Sequence, residues 1–333
     1  MNPFNRYAWA GALACTVLLC VLLHALASGP TPRQRLDLTG FMQADGAITT
    51  LSGGDIVEPY FAVQALLLAE EHGLDADAET RRWLAWLAPR QRSDGTFARF
   101  CRAGSAWVSC KHADADDALL AMWMKLLRAN GDGIPRELLK KNLQRSETAL
   151  ERLHDRSRGV YLVSSAFPHG LFMDNLEVWW FWTSQRSLAS QVKARRLQRA
   201  IRDVFWHPGS RRFLVSTQLE QAAMAPAFYP EAVAQIYPLL FAYPRVPAPP
   251  RAYYRKWMKA HRATWLSQGP RDFAWGVIAL IALRQNDLES ARCWLRDTAH
   301  LRHSSHWTVS DEVARQILEA RSLAPALARA TCR

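Results

Sequence analysis

The sequence predicts an all-α fold, an (α/α)6 barrel in which helical hairpins close into a toroid, with short β-hairpins at one end and an N-terminal membrane or signal helix. Three observations lead to this prediction. Acidic residues recur before apolar helices, since Glu58, Asp116, Asp174 and Glu231 follow at intervals of 58, 58 and 57 residues. Helices that are apolar on nearly every face alternate with amphipathic ones, as expected for an inner and an outer layer. No low-complexity linker divides the 333 residues, 49% of which are hydrophobic, so we expect one large core.

The chain begins with an apolar run over residues 8–27, preceded by Arg6. This run is near the length of about 17 residues or more that a membrane-spanning helix needs. Ala25-Leu26-Ala27 also has the small-x-small form of a signal-peptide cleavage site. Both outcomes stay open. We expect residues 1–30 to be a signal peptide or inner-membrane anchor and residues 31–333 to be an exported catalytic domain, periplasmic or held at the inner membrane.

Helical periodicity indicates two classes of helix between these ends. The inner helices, apolar on nearly all sides, are predicted at residues 57–71, 114–129, 173–186, 229–243, 271–285 and 309–322. The amphipathic outer helices are predicted at 78–89, 136–153, 189–205, 251–266 and 288–300. Short extended segments at 96–100, 160–163 and 213–216 each follow a turn. The loops before the inner helices would therefore line one end of the ring.

Three carboxylates crowd the start of the second inner helix. Asp114, Asp116 and Asp117 can satisfy the free N–H groups of a helix terminus, but one of them would be enough for capping. Because the helix that follows is apolar on all faces, we expect these side chains to lie at the mouth of an internal site. Capping alone accounts for the acidic residues before the last two inner helices, Asp272, Asp311 and Glu312.

Charge and cysteine content restrict the partners. The formal charge of +12 favours an anionic partner, such as a membrane surface or an acidic polysaccharide, but the arginines are scattered and no nucleic-acid module is present. We therefore expect no nucleic acid as a partner, and we expect the protein to be a monomer.

Cys101 and Cys110 flank a turn and are predicted to form a disulfide across a β-hairpin, whereas Cys293 and Cys332 are expected to be unpaired. The histidines of the 300–306 segment are interpreted as a polar loop, so neither a metal nor a cofactor is predicted.

Carboxylates together with aromatic side chains suit a polysaccharide site. Glycoside hydrolysis needs one protonated carboxyl as the acid and one ionised carboxylate as base or nucleophile. Glu58 is the better acid, and Asp114, Asp116, Asp174 and Glu231 compete for the other roles. Aromatic residues expected near the mouth as substrate-binding candidates are Tyr60, Trp107, Phe167 and Tyr229, of which Trp107 and Phe167 fall in predicted loops. Trp179, Trp180 and Trp182 are more consistent with core packing. His112 and His169 are interpreted as loop histidines.

Several segments in order resemble the family 8 glycoside hydrolases. The matching segments are Gly53-Gly54-Asp55-Ile56-Val57-Glu58, Arg82-Trp83-Leu84, Ala113-Asp114-Ala115-Asp116, Tyr229-Pro230-Glu231-Ala232-Val233 and Tyr237-Pro238-Leu239. The resemblance implies an inverting (α/α)6-barrel enzyme acting on a β-glucan or exopolysaccharide. It would place the general acid on Glu58, sugar binding on Asp114 or Asp116, and the base on Glu231. The family has a glycine-rich run after its acid and an Asp as base, whereas this chain has Pro59-Tyr60-Phe61-Ala62 and Glu231, so Asp174 stays a rival base.

Two other function classes stay open. Asp114-Ala115-Asp116-Asp117 also satisfies the Asp-x-Asp-Asp pattern of class II terpene cyclases, and Gln91 to Phe97 resembles the repeats of cyclase-like toroids. Such enzymes use a protonated Asp beside a dry aromatic cavity. The second alternative is a non-catalytic toroid that binds an exopolysaccharide or a partner during secretion. A lyase acting on uronates is a catalytic variant that the basic charge favours.

Overall fold

The computed structural model describes residues 33–218, 227–268, 271–327 and 332. The predicted signal or anchor segment at residues 8–27 lies outside these ranges. In the described part of the chain, no helix is long and apolar enough to cross a membrane. The described residues from Arg35 onward belong to one compact unit.

The described residues are predominantly helical, and their arrangement is consistent with an all-α barrel. In chain order the α-helices are α1 (Pro59–Glu71), α2 (Asp77–Leu87), α3 (Asp116–Asn130), α4 (Arg136–Arg152), α5 (Phe172–Ser184), α6 (Leu188–Phe205), α7 (Val233–Ile236), α8 (Pro250–Gln268), α9 (Gly276–Arg284), α10 (Leu288–Asp297) and α11 (Val309–Ala320). The odd-numbered helices are the predicted inner ones and the even-numbered helices the predicted outer ones.

Burial separates the two layers. Almost every residue of α3 from Ala118 to Leu127 is buried, whereas α6 buries a single stripe of small and apolar residues, namely Ala194, Leu197, Ile201 and Phe205. The stripe has the three- and four-residue spacing of an amphipathic helix. Helix α1 packs against α3, α3 against α5, and α9 against α11, while α11 packs back against α1. The last inner helix thus lies beside the first, and the helix starts are brought to one end.

Two inner helices differ from the prediction. Residues 229–243 do not form one helix: a π-turn (Phe228–Ala232), the short α7 and a 3-10 turn (Tyr237–Leu239) follow one another. Pro230 and Pro238 explain the interruption, because proline has no N–H to donate within a helix. Helix α9 begins at Gly276 rather than at residue 271, and Trp275 before it has a left-handed backbone with φ of 54°.

The short strands lie before the inner helices. Strands β1 (Ile56–Val57), β2 (Ala98–Ala103) and β3 (Ala106–His112) form an antiparallel sheet in that order. Two further hairpins pair β4 (His154–Asp155) with β5 (Val160–Tyr161), and β6 (Trp206–His207) with β7 (Arg212–Phe213). The sheet places the end of β1 next to Glu58 and the end of β3 next to Asp114. It therefore joins the starts of α1 and α3.

Two disulfides occur in the described residues. One joins Cys101 of β2 to Cys110 of β3, the pair expected to bridge the hairpin. The other joins Cys293 to Cys332, so the expectation that these two are unpaired is wrong. They are 39 residues apart, and the chain after α11 returns to α10, where the Ala326 N–H donates to the Arg292 carbonyl. This return is a tertiary contact that sequence spacing does not indicate.

Candidate active site

Acidic residues at the starts of α1, α3 and α5 do not act as helix caps. None of these helices has a side-chain hydrogen bond at its N-cap. Helix α11 differs, because Thr308 and Asp311 form a reciprocal capping box. Capping therefore explains the acidic start of α11, whereas the buried acids of the other three helices need a different explanation.

Glu58 is held by an arginine from the neighbouring strand. Its side chain is 3% exposed, and Arg99 Nε of β2 donates to its Oε2 at 2.6 Å. The Asp114 N–H donates to Oε1 at 3.1 Å. Burial raises the pKa of Glu58, and the hydrogen bonds from Arg99 and Asp114 oppose that rise. Both carboxylate oxygens accept hydrogen bonds, an arrangement that suits the ionised form.

Ala115 directs its two acidic neighbours to different environments. It has a left-handed backbone with φ of 49°, and helix α3 begins directly after it. Asp114 is exposed, while Asp116 is 5% exposed and its buried Oδ1 has no hydrogen-bond partner in the described ranges. Burial, together with the nearby charges of Asp94 and Glu58 and against the opposing charge of Arg92, raises the pKa of Asp116 to about 7. Asp116 is therefore a carboxyl that holds a proton near neutral pH.

A cavity of about 430 Å³ opens over these groups. Its walls are the β2–β3 hairpin, the Asp114–Asp116 turn and a loop that ends at Phe167. Phe167 is 65% exposed, so its ring is accessible to a ligand. A second cavity of about 250 Å³ is lined by Phe61, Phe273 and Glu58 among others, and it shares Arg99 with the first. Arg99 thus lies between the two cavities, and Glu58 lines the smaller one.

Deeper in the ring, Glu177 is fully buried and accepts three hydrogen bonds at one oxygen. Its Oε1 accepts from Tyr60 Oη at 2.8 Å, Tyr237 Oη at 2.7 Å and Gln64 Nε2 at 3.1 Å. Burial raises the pKa of Glu177 to about 7, although these three hydrogen bonds lower it. Ser310 Oγ of α11 donates in turn to Gln64 Oε1 at 3.1 Å. This network connects α1, α5, α11 and the turn after α7 across the ring.

Asp117 and Asp174 lie next to this network. Both are buried, and burial raises the pKa of each well above its usual value, with the neighbouring charge of Glu177 contributing. The charge of Asp117 also raises the pKa of Asp174. Both oxygens of Asp117 and Oδ2 of Asp174 have no hydrogen-bond partner in the part of the chain described. Adjacent buried carboxyls cannot all be ionised, so this group retains protons at neutral pH.

The four aromatic substrate-binding candidates lie in different places. Tyr60 is part of the Glu177 network, and its ring contacts Phe61 edge-on at 5.5 Å. Tyr229 is 48% exposed and lies against Trp275, with ring centroids 4.8 Å apart. Phe167 lines the larger cavity.

Trp107, expected in a loop over the mouth, lies instead in β3. Its ring packs against Trp86 at 6.4 Å and under Arg102 at 4.2 Å. It lines neither the larger cavity nor the smaller one beside Glu58. The cross-strand pairing with β2 determines this position, because Trp107 is paired with Arg102.

Glu231 is placed apart from the other candidate acids. Its Oε2 accepts from the Ala227 N–H at 3.0 Å, and it lines a small depression with Arg212 and Gln235. It is not among the main charges that shift the pKa values of Glu58, Asp116 or Asp174. Of the candidate bases, Asp174 is the one that the fold places beside the buried acids.

Two residues of the site, Arg99 and Glu177, have no counterpart among the sequence candidates, whereas Tyr237 falls in the Tyr237-Pro238-Leu239 segment of the resemblance. Glu177 follows Asp174 by three residues, so both lie on one helix face, a spacing that could have indicated it. The role of Arg99 depends on strand pairing, and no sequence pattern indicated it.

In the described ranges no group of three or more His, Cys, Asp or Glu side chains could hold a metal ion. His306 contacts the Asp272 carbonyl through Nδ1 at 3.1 Å.

The chain is similar to solved structures at low sequence identity. No family model matches the chain, and no curated protein matches it. Among solved structures, a rhamnosidase from Klebsiella oxytoca with rhamnose bound is similar, with a TM-score of 0.45 and 15% sequence identity. The match covers 80% of this chain but 58% of that chain, so it spans less than two thirds of the rhamnosidase structure. The resemblance to family 8 stays a prediction.

Proposed function

We propose that the protein is an exported, inverting glycoside hydrolase with an (α/α)6 barrel, acting on a polysaccharide such as a β-glucan or exopolysaccharide. One observation carries the proposal. Asp116, a buried carboxyl with a pKa raised to about 7, lines the same cavity as the exposed Asp114 and adjoins Glu58. A carboxyl with a raised pKa, as at Asp116, and a neighbouring carboxylate that accepts hydrogen bonds, as at Glu58, are the two groups that glycoside hydrolysis needs.

The contacts favour Asp116 as the general acid. Its pKa matches the proton transfer that a leaving glycosidic oxygen needs near neutral pH. Glu58, the acid expected from the sequence, accepts hydrogen bonds from Arg99 and from the Asp114 N–H, which favour its ionised form. We assign Glu58 as the base that activates water, with Asp114 binding the sugar at the exposed rim. Asp174 is the alternative base.

Two features support export. The apolar segment at residues 8–27 has the composition of a signal peptide or anchor. Two disulfides in the described residues suit an oxidising compartment. Under this proposal the protein acts on glycans outside the cytoplasm, with the inner membrane as a partner if residues 8–27 are retained.

The interior of the ring distinguishes this proposal from a terpene cyclase. Cyclases of the Asp-x-Asp-Asp type need a dry, aromatic cavity below their acid. Here the groups below Asp116 are polar, because Asp117, Glu177, Gln64 and Tyr237 lie there. A carbocation would meet carboxyl and hydroxyl oxygens that can capture it, so the observed interior favours a hydrolytic reaction.

The test is release of reducing ends by the purified full-length protein from a panel of β-glucans, chitosan and bacterial exopolysaccharides. Proton NMR of the first product should show inverted anomeric configuration. Asp116→Asn should abolish release from natural glycans but retain cleavage of aryl glycosides, whose leaving groups need no acid. Glu58→Gln should abolish both and recover activity with azide. If Glu58→Gln instead retains aryl glycoside cleavage, the two roles are reversed. No cleavage of any glycan by the unmodified protein would contradict the proposal and favour the binding toroid.

A further inference from the structure

One wall of the larger cavity carries positive charge that the protein does not neutralise. Lys111 and His112, at the end of β3, line the cavity opposite Phe167. Lys111 is exposed and forms no ion pair with any described residue. Arg92 reaches the same wall, where its Nη1 lies 3.0 Å from His112 Nδ1 and its Nη2 donates to Ser109 Oγ at 3.2 Å. The charge of Arg92 is partly compensated by Asp94 and Asp116, which line the same cavity and whose pKa values it lowers, so Lys111 is the cation without a carboxylate partner in the described residues.

Strand register places a second cation beside the Glu58–Arg99 pair. Arg99 of β2 and Lys111 of β3 are directly opposite partners in the antiparallel sheet, so their side chains lie on the same face. Like charges in such a position destabilise a sheet unless an anion lies between them. Glu58 neutralises Arg99 at 2.6 Å, and no described carboxylate does the same for Lys111. The pair therefore leaves one uncompensated positive charge at the cavity wall.

We propose that the cavity takes an acidic glycan, in which an anionic substituent of the sugar contacts Lys111 and Arg92 while the glycosidic bond lies by Asp116. This inference rests on the proposed function and specifies its substrate class. A carboxylate would accept hydrogen bonds from the Lys111 ammonium and the Arg92 guanidinium, which are both donor groups. A sugar sulfate or phosphate offers the same chemistry.

The experiment compares glycans that differ in the acidic group alone. Isothermal titration calorimetry measures binding to the full-length protein in three arms. The first arm is a set of glucuronan, galacturonan and mannuronan oligomers, and the second is the neutral oligomer of the same ring and linkage for each. The third arm is a sulfated glucan oligomer. We expect at least one acidic oligomer to bind about 10-fold or more tightly than its neutral counterpart. Its affinity should fall with added salt. Tighter binding in the sulfated arm instead would identify sulfate as the anionic group.

Matched variants locate the effect. Lys111→Gln should weaken the acidic oligomer about 10-fold and leave the neutral one unchanged. Lys141→Gln, which removes an exposed lysine of the outer helix α4, is the control and should change neither affinity. Equal affinity for every acidic and neutral pair, or equal losses in the two lysine variants, would overturn the inference. If the acidic-glycan inference fails in this way, efficient cleavage of neutral glycans would still support the hydrolase proposal. Conversely, tight binding of an acidic oligomer without any cleavage would contradict the hydrolase proposal and leave the acidic-glycan inference intact.

Discussion

At the scale of single residues, the neighbouring acids Glu58 and Asp116 differ in what surrounds them. Glu58 accepts hydrogen bonds from Arg99 and from a backbone N–H, and Asp116 has a buried oxygen without a partner in the described residues. Hydrogen bonds to a carboxylate favour its charged form, and burial without them favours the neutral form. The environment therefore separates the protonation states of two residues that look equivalent in sequence.

The pH dependence of activity tests the role of Asp116. Because the acid must be protonated and its pKa is about 7, we expect kcat/KM to fall as the pH rises above about 7. Asp116→Asn should lower kcat on a natural glycan by about 10²-fold or more and remove this limb from the residual activity. Steady-state rates between pH 4 and 9, with circular dichroism as a control for folding, provide the measurement. A high-pH limb that survives in Asp116→Asn would assign it to another group.

Ala115 offers a test of the backbone between the two acids. A non-glycine residue with φ of 49° is strained, whereas glycine takes this conformation freely. Ala115→Gly should therefore leave the free energy of unfolding unchanged or raise it by up to about 1 kcal/mol. Ala115→Val should lower it by more than that, since a β-branched side chain is disfavoured there. Urea unfolding of both variants is the measurement, and a stable Ala115→Val would contradict the assigned conformation.

At the scale of elements, the β2–β3 hairpin carries much of the candidate site. It supplies Arg99 to Glu58 and presents Lys111 at the cavity, and its strands are cross-linked between Cys101 and Cys110. Its first strand also pairs with β1, which leads directly into Glu58. The hairpin thus determines the positions of Arg99 and Lys111 relative to Glu58 and the larger cavity.

Removal of the hairpin disulfide should affect the site more than the core. The double variant Cys101→Ser with Cys110→Ser releases a short loop, so we expect a loss of about 2–3 kcal/mol in the free energy of unfolding together with a higher KM. The matched control is the double variant Cys293→Ser with Cys332→Ser, which releases the chain end from α10 and should leave KM unchanged. Denaturant unfolding and steady-state kinetics measure the two effects. Equal KM changes in both variants would contradict the assignment of the hairpin to the site.

Much of the element pattern followed from the sequence. Periodicity indicated the odd and even helices because inner helices are apolar on all faces and outer ones on a single stripe. It failed where local chemistry interrupts a helix, as at Pro230 and Pro238, and where Trp275 takes a left-handed backbone before α9. The carboxylates at the helix starts were visible in the sequence. The contact of Glu58 with Arg99 depends on strand pairing between residues about 40 positions apart, which periodicity does not encode.

At the scale of the whole molecule, the ring encloses an unusual number of buried acids. The pKa of Asp116 and of Glu177 is raised to about 7, that of Asp311 is raised to about 6, and those of Asp117 and Asp174 are raised as well. Burial is the largest cause in every case. In the unfolded chain these groups would titrate near pH 4.

Stability should therefore fall as the pH rises from about 4 to beyond 7. Between these values the folded protein binds more protons than the unfolded chain, and the free energy of unfolding decreases with pH when that is so. We expect a thermal midpoint higher at pH 5 than at pH 8, by calorimetry at constant ionic strength. Asp117→Asn removes one of these titrations and should raise the midpoint at pH 8 more than at pH 5. A midpoint that rises between pH 5 and pH 8 would contradict this prediction.

The sequence by itself determined the two helix layers, the acidic starts of the inner helices and the class of chemistry that such acids suggest, because periodicity and composition are local properties. Tertiary structure alone decided which acids meet. It brought Arg99 to Glu58, left Glu231 apart, joined Cys293 to Cys332 and buried Glu177 under two tyrosine hydroxyls. The physical reason is that pKa values and ion pairs depend on burial and on neighbours from distant parts of the chain, which only ring closure and strand pairing bring together.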